Sequence, residues 1–209
     1  MKKYDTIFLD RDGTINPDPG YINSLNDFKF YDFTFNALKN LKRLTKQFCI
    51  ITNQSGVARG LIDPDNLSLI HDHILNHFFD EGLNLLGIYY CTDHPDKQTR
   101  NRKPGIGMFE KAALDHKIDL KKSLMIGDNL CDIEAASHCK MESVLVLTGK
   151  GKKDNVSPNI NPTYVSENLF SASKILRDSQ WKLVYWLVEI PQNEMSPYPA
   201  EKQYIKRLN

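Results

Sequence analysis

The chain has 209 residues, 41% hydrophobic and 25% charged, with a formal net charge of +1. This is the composition of an ordinary globular protein with one full domain and at most a small addition, and it gives no electrostatic reason to bind nucleic acid or a membrane surface. The apolar run after the N-terminal lysines is too short for a secretory signal, and the cysteines show no paired spacing. We therefore expect a cytoplasmic protein with reduced thiols.

Short apolar runs alternate with segments of helical pattern. The runs predict strands at residues 6–10, Phe48–Ile51, Gly87–Tyr90, Ser123–Ile126 and Ser143–Leu147. The segments between them predict helices over 33–46, 63–81, 106–117 and 130–139, and loops over 15–31 and 91–105. This alternation predicts an α/β fold, a doubly wound, mainly parallel sheet with helices on both faces.

The first predicted strand ends in two carboxylates, Asp10 and Asp12. Side chains alternate along an extended chain, so these two point roughly the same way. Such a pair can bind a hard cation, and one carboxylate could also act as nucleophile or acid. Two solvated aspartates in a turn are the alternative that this motif alone leaves open.

Polar residues also follow the next predicted strands: Thr52 and Asn53, then Lys103 in a loop, then Asp128. Ligands of doubly wound sheets bind beyond the carboxyl ends of the strands, where the topology brings these residues together. Thr52 and Asn53 offer neutral hydrogen bonds to a phosphoryl oxygen of a substrate, and Lys103 offers a point charge for it.

Asp10, Asp12 and Asp128 can supply oxygen ligands to one Mg²⁺, through side chains or a backbone carbonyl. The metal would shield Asp10 and let its carboxylate attack phosphorus. Asp12 could protonate the leaving oxygen and then activate water.

Each of these residues also has a simpler interpretation. Lys103 could be a solvated loop lysine, and Thr52 could simply end its strand. Asp132 could favour the N-terminus of its own helix or orient Lys103, and both alternatives stay open. The joint occurrence of these residues in the right order favours a functional site.

Four segments together resemble the motifs of the haloacid dehalogenase-like phosphatases. They are Asp10-Arg-Asp-Gly-Thr14, Thr52-Asn-Gln-Ser-Gly56, Arg102-Lys103-Pro104 and Gly127-Asp128-Asn-Leu-Cys-Asp132. Within this superfamily the chain most resembles the D-glycero-D-manno-heptose 1,7-bisphosphate 7-phosphatase branch. The additional similarity lies in Gly20-Tyr-Ile22, Asn53-Gln-Ser-Gly-Val-Ala-Arg-Gly60 and Gly87-Ile-Tyr-Tyr-Cys91. The resemblance covers about residues 4–150.

The resemblance implies a Rossmann-like fold without a large cap domain, in which short loops including 15–25 and 91–102 shape the pocket. It implies Asp10 as the nucleophile that forms an aspartyl-phosphate and Asp12 as the general acid and base. The other implied contacts are Thr52 and Lys103 to the phosphoryl group, Arg59 and Arg102 to the substrate, and Asp10, the carbonyl of Asp12 and Asp128 to Mg²⁺.

One loop departs from the branch. Many members carry a structural zinc loop, with Cys-x-His near the end of the third strand and Cys-x-Cys before Arg-Lys-Pro. The corresponding positions here hold Cys91, Asp93 (with His94 beside it), Thr99 and Asn101. One thiolate cannot make a closed tetrahedral zinc site, so we expect no zinc and a loop held by other contacts.

Two other patterns carry weaker signals. His71, His73 and His77 lie on one predicted helix without the glutamate spacing of a zinc protease, and we expect them on a solvated face. Gly149-Lys-Gly-Lys-Lys153 lacks the Ser or Thr of a P-loop and predicts a solvated loop that could sit near the site.

The predicted function is Mg²⁺-dependent removal of the 7-phosphate of heptose 1,7-bisphosphate, in the synthesis of surface-polysaccharide heptose. The alternatives are a histidinol-phosphate phosphatase, which Ala58-Arg59-Gly60 disfavours, or another small phosphomonoester phosphatase. A polynucleotide 3′-phosphatase is disfavoured by the neutral charge, and a non-catalytic scaffold by the intact motifs. Asn129 stands where some members have Lys, which leaves the anomer preference open.

The pattern divides the chain into a phosphatase domain, 1–178, and a C-terminal extension, 179–209. The extension contains the apolar run Trp181–Val188, which is too short to span a membrane. An exposed run of this kind would be sticky, so we expect it to dock on the body or to form a homo-oligomer contact.

Overall fold

The computed structural model describes residues 3–150 and 161–185, with side chains described up to residue 177. Its strands are β1 (Ile7–Leu9), β2 (Phe48–Asn53), β3 (Leu85–Cys91), β4 (Leu124–Gly127), β5 (Glu142–Val146) and β6 (Tyr164–Ser166). Its α-helices are α1 (Thr34–Leu41), α2 (Pro64–Asp80), α3 (Gly107–His116), α4 (Leu130–His138) and α5 (Leu169–Tyr185). Single 3₁₀ turns lie at Leu25–Asp27, Pro95–Lys97 and Leu120–Lys122.

The strands form one parallel sheet in the order β3-β2-β1-β4-β5-β6. From β1 the chain adds β2 and then β3 on one side. It then crosses back to β4, which lies on the other side of β1 and is followed outward by β5 and β6. The gap between the ends of β1 and β4 is therefore the switch point at which doubly wound sheets bind ligands. The predicted doubly wound α/β fold is confirmed.

Helices cover both faces of this sheet. Ile7 and Leu9 of β1 pack in one apolar cluster with residues of α1, α2 and α5. Phe8, between them, points to the other face and packs with residues of α3 and α4. No segment within residues 3–150 and 161–185 is large enough to form a separate cap domain over the strand ends.

Most predicted elements are present, and two observed ones were not predicted. α1 ends at Leu41, although the apolar spacing continues to Leu44. A turn follows the helix, with Leu44 N–H donating to the Leu41 carbonyl, and it keeps Leu44 in the core. β6 has only three residues at the sheet edge, too few for a periodic signal. Helix α5 does carry a periodic signal, because its buried apolar residues up to residue 177 are Leu169, Ala172 and Leu176.

Helix α5 continues across residue 178, the predicted domain boundary, to Tyr185. Residues 186–209 lie outside the described residues, so the docking or subunit-contact role of 179–209 stays a prediction. The helices of the described part are too short or too polar for any of them to cross a bilayer.

Phe109 of α3 anchors one face of the sheet. It is fully buried, and its ring meets the ring of Phe8 edge-to-face at 5.2 Å. We expect Phe109→Ala to lower the free energy of unfolding by about 3–5 kcal/mol, through lost burial and the cavity left behind. Urea unfolding measures the loss. Leu114→Ala is the matched control, since Leu114 lies on the same helix and is 79% exposed; its effect should stay within about 0.5 kcal/mol. Equal losses in the two variants would contradict this packing.

Candidate active site

A cleft opens at the carboxyl ends of the strands, beside the gap between β1 and β4. Its lining includes most of the predicted site residues: Asp10, Asp12, Thr52, Asn53, Arg102, Lys103 and Asp128. Arg59 is exposed and is not among the lining residues, so its contact with substrate stays a prediction.

Lys103 lies at the bottom of this cleft and is only 3% exposed. Its Nζ lies 2.6 Å from Asp10 Oδ1 and 2.6 Å from Asp132 Oδ1, and it donates to the Ile51 carbonyl at 2.7 Å. A solvated loop lysine is thereby excluded. The loop is held in place by Asn53, whose Oδ1 accepts from Lys103 N–H at 3.0 Å and whose Nδ2 donates to the Lys103 carbonyl at 3.1 Å. Asn53 therefore binds the backbone of the lysine, and its contact with substrate stays a prediction.

Asp132 combines the two functions that the sequence left open. Its Oδ2 accepts from the Asn129 N–H at 3.0 Å, while Asn129 Oδ1 accepts from Cys131 N–H at 3.1 Å, which is a capping box at the start of α4. Its Oδ1 contacts Lys103. The helix start and the lysine position are thus set by one carboxylate.

The charges in this cluster do not cancel. Burial raises the pKa of Asp10 well above its usual range, and Asp132 and Asp128 raise it further against the opposing charge of Lys103. Burial and Asp132 raise the pKa of Asp128 to about 6. Burial opposes the charge on Lys103, but Asp10 and Asp132 raise its pKa. Among the described residues only Lys103 brings a buried ammonium group to these three carboxylates, so the surplus negative charge of the buried cluster favours a bound cation.

Asp12 lies in a different environment. Its carboxylate accepts from Arg11 Nε at 3.1 Å and Nη2 at 2.8 Å, from Asn16 Nδ2 at 2.8 Å and from Gln54 Nε2 at 2.8 Å. Burial opposes the charge on Asp12, but Arg11 and the two amides lower its pKa below the usual value. The cleft thus holds one carboxylate that is hard to ionise and one that ionises readily.

The expectation of a solvated histidine face on α2 is wrong for His71. This residue is only 7% exposed, lies on the same stripe as Leu67 and Ile74, and places Nε2 3.3 Å from Arg11 Nη1. His73 and His77 are partly buried and pack on Phe30. The spacing to Leu67 and Ile74 could have indicated that His71 faces inward, although its arginine partner could not be foreseen.

Lys150 is a cleft residue that the sequence indicated only weakly. Its backbone N–H donates to Asp128 Oδ2 at 2.7 Å, and its Nζ lies 2.9 Å from Asp18 Oδ2. The expectation that the loop after β5 sits near the site is confirmed at Lys150. Residues 151–160 lie outside the described residues.

Hydrogen bonds hold the loop from Cys91 to Arg102. Asp93 Oδ2 accepts from Thr99 N–H at 2.7 Å, and Thr99 Oγ1 accepts from Asn101 N–H at 3.2 Å. Arg102 Nη1 donates to the Asp93 carbonyl at 3.4 Å. The residues in the positions of the branch's zinc ligands thus bind one another directly.

Known proteins are similar to this chain in sequence and in fold. The HAD-hydrolase-like family matches residues 100–172. The chain is 42% identical over 152 residues to the D-glycero-beta-D-manno-heptose-1,7-bisphosphate 7-phosphatase of Photorhabdus laumondii, covering 69% of this chain and 81% of that protein. It is 35% identical over 181 residues to the Haemophilus influenzae protein of the same name, covering 82% and 96%.

Solved structures agree with these matches. The D,D-heptose 1,7-bisphosphate phosphatase of B. bronchiseptica, complexed with magnesium and phosphate, superposes with a TM-score of 0.74 at 30% identity, covering 84% of this chain and 99% of that one. The chain belongs to the haloacid dehalogenase-like hydrolases. Within them it is a member of the heptose-1,7-bisphosphate 7-phosphatase branch.

His71 should make stability depend on pH. Burial and the Arg11 charge lower its pKa to about 3. Because an unfolded histidine takes up its proton near pH 6.5, the stability due to the neutral ring is complete above that pH and is lost as the pH falls towards 3. Between pH 6 and pH 4 we expect the parent protein to lose about 2 kcal/mol more unfolding free energy than His71→Gln, whose amide can still accept from Arg11. Urea unfolding at several pH values measures this, and parallel pH profiles would contradict a neutral buried ring.

Proposed function

We propose that this protein is a Mg²⁺-dependent phosphatase that removes the 7-phosphate of D-glycero-D-manno-heptose 1,7-bisphosphate. The observation that carries the proposal is the buried Asp10–Lys103–Asp132 cluster at the switch point of the sheet, with Thr52 and Asp128 lining the same cleft. The substrate comes from the names of the relatives, which include both the alpha and the beta anomer of this sugar.

Asp10 is the nucleophile. Its carboxylate attacks phosphorus, a new O–P bond forms, and the bond from phosphorus to the sugar oxygen breaks. Asp12 donates a proton to that leaving oxygen. Lys103 and Thr52 bind the oxygens of the transferring phosphoryl group, where negative charge is highest. Asp12 then removes a proton from water, which attacks the aspartyl-phosphate and releases inorganic phosphate.

The residues present fit a magnesium ion. Carboxylate oxygens of Asp10, Asp128 and Asp132 lie within 4.8 Å of one another. Both oxygens of Asp132 already accept hydrogen bonds or contact Lys103, which favours Asp10 and Asp128, with the Asp12 carbonyl, as the ligands. The ion would neutralise the surplus negative charge of the cluster and that of the bound phosphate.

The nucleophile can be tested by Asp10→Asn. The amide keeps the size of the side chain but cannot attack phosphorus, so we expect phosphate release from heptose 1,7-bisphosphate to fall about a thousandfold or more. Asp5→Asn is the matched control, because Asp5 lies just before β1 at its other end and outside the cleft. Asp5→Asn should keep parental turnover. Full turnover in Asp10→Asn would refute the assigned nucleophile.

The substrate can be tested with a panel of phosphomonoesters. We expect the highest kcat/KM for one anomer of heptose 1,7-bisphosphate, with fructose 1,6-bisphosphate and histidinol phosphate at least about tenfold lower, a difference of about 1.4 kcal/mol in transition-state binding. Phosphate release with Mg²⁺ gives the comparison. A preference for histidinol phosphate would replace the proposed substrate while keeping the phosphatase class, and no release from any ester would favour the non-catalytic alternative.

A further inference from the structure

Gln54 lies between Asp12, the proposed proton donor, and Thr52, which is proposed to bind the phosphoryl group. Its side-chain amide donates from Nε2 to Asp12 Oδ2 at 2.8 Å and to Thr52 Oγ1 at 3.0 Å. Its Oε1 accepts from Arg11 Nη2 at 3.1 Å. Gln54 itself is only 3% exposed, and it lines the cleft.

Only one orientation of this amide is consistent with its neighbours. A guanidinium group donates hydrogen bonds and never accepts them, so the amide oxygen must face Arg11. The amide nitrogen then faces Asp12 and Thr52, and each of its two hydrogens has one acceptor. Arg11 therefore fixes the orientation of Gln54.

The Arg11 guanidinium is itself fixed by hydrogen-bond partners. It is 1% exposed, contacts Asp12 through Nε and Nη2, and has Nη1 3.3 Å from His71 Nε2. Because arginine only donates, His71 Nε2 must be the acceptor and carry no proton. The guanidinium thus has a partner for each of its nitrogens, which restricts its rotation.

The orientation of Gln54 determines where the Thr52 hydroxyl can point its proton. Thr52 Oγ1 already accepts from Gln54, and among the described residues its own hydrogen meets no side-chain acceptor. That hydrogen is therefore available to an oxygen bound in the cleft. The same amide holds Asp12 Oδ2, so the distance between the hydroxyl and the carboxylate depends on one side chain.

We propose that Gln54 is a positioning residue of the phosphatase reaction, which holds the Asp12 carboxylate and directs the Thr52 hydroxyl, with Arg11 fixing its amide. The inference rests on the proposed function, since it takes Asp12 as the group that protonates the leaving oxygen. Gln54 acts on the reaction through Asp12 and Thr52, the two side chains to which its amide donates.

Gln54→Met tests the proposal with two substrates. Heptose 1,7-bisphosphate has an alkoxide leaving group that needs a proton, whereas p-nitrophenolate leaves without one. We expect kcat/KM for the sugar ester to fall about 10²-fold, the range of general acid catalysis, and for p-nitrophenyl phosphate to fall about tenfold or less. A purely structural defect would lower both substrates by the same factor and would overturn the proposal, as would unchanged kinetics.

Gln47→Met is the matched control. Gln47 lies just before the other end of β2 and also donates twice from Nε2, to Asp5 Oδ1 at 3.3 Å and to Thr6 Oγ1 at 2.9 Å, outside the cleft. Gln47→Met should keep kcat/KM for both substrates within about twofold of the parental value. If Gln54→Met does not fold by circular dichroism, Gln54→Leu replaces it, because leucine also offers no donor to Asp12 or Thr52 and brings no charge.

A double variant separates this inference from the proposed function. In an Asp12→Ala background, Gln54→Met should lower the sugar-ester kcat/KM only by the factor seen with p-nitrophenyl phosphate, since the carboxylate it holds is gone. The full 10²-fold loss in that background would overturn the positioning role alone. If Asp12→Ala by itself affects both substrates equally, the proton donor of the proposed function is wrong, and the inference fails with it.

Discussion

The buried ammonium group of Lys103 is the interaction on which the rest of the cleft depends. It joins the end of β1 through Asp10, the start of α4 through Asp132 and the end of β2 through the Ile51 carbonyl. Removing one partner of a buried ion pair typically costs about 3–5 kcal/mol, because the other charge is left without compensation. Here two carboxylates would be left, so the lysine stabilises the fold and the charge pattern of the cleft together.

Two aspartates one residue apart acquire different properties from their surroundings. Burial and acidic neighbours raise the pKa of Asp10, whereas Arg11 lowers that of Asp12 against the same penalty of burial. A cation bound at Asp10 would lower the pKa of that carboxylate and so favour the ionised nucleophile, whereas Asp12 must take up a proton in the substrate complex before it can donate one. The sequence motif around these residues could not show this difference in pKa, because Lys103, Asp128 and Asp132, which act on Asp10, and Gln54, which acts on Asp12, lie far along the chain.

The sequence predicted the sheet and the edge at which the cleft opens, because strand–helix alternation determines which strand ends meet. It could not predict features that depend on a single partner. One such feature is the pair of hydrogen bonds between the Asn53 amide and the Lys103 backbone. His71 was expected in solvent; its spacing to Leu67 and Ile74 indicates an inward face, but its Arg11 partner could not be foreseen. Element ends were also displaced by a few residues, since turns such as the one at Leu44 continue an apolar pattern beyond the helix.

The paired hydrogen bonds between the Asn53 side chain and the Lys103 backbone also bear on how this branch can diverge. They attach Lys103, which directly follows the loop, to β2 without help from the residues between Cys91 and Arg102. The residues inside that loop are therefore not needed to position Lys103. Substitutions there can change how the loop is held, which here includes the hydrogen bond from Thr99 N–H to Asp93, while the ammonium group keeps its position.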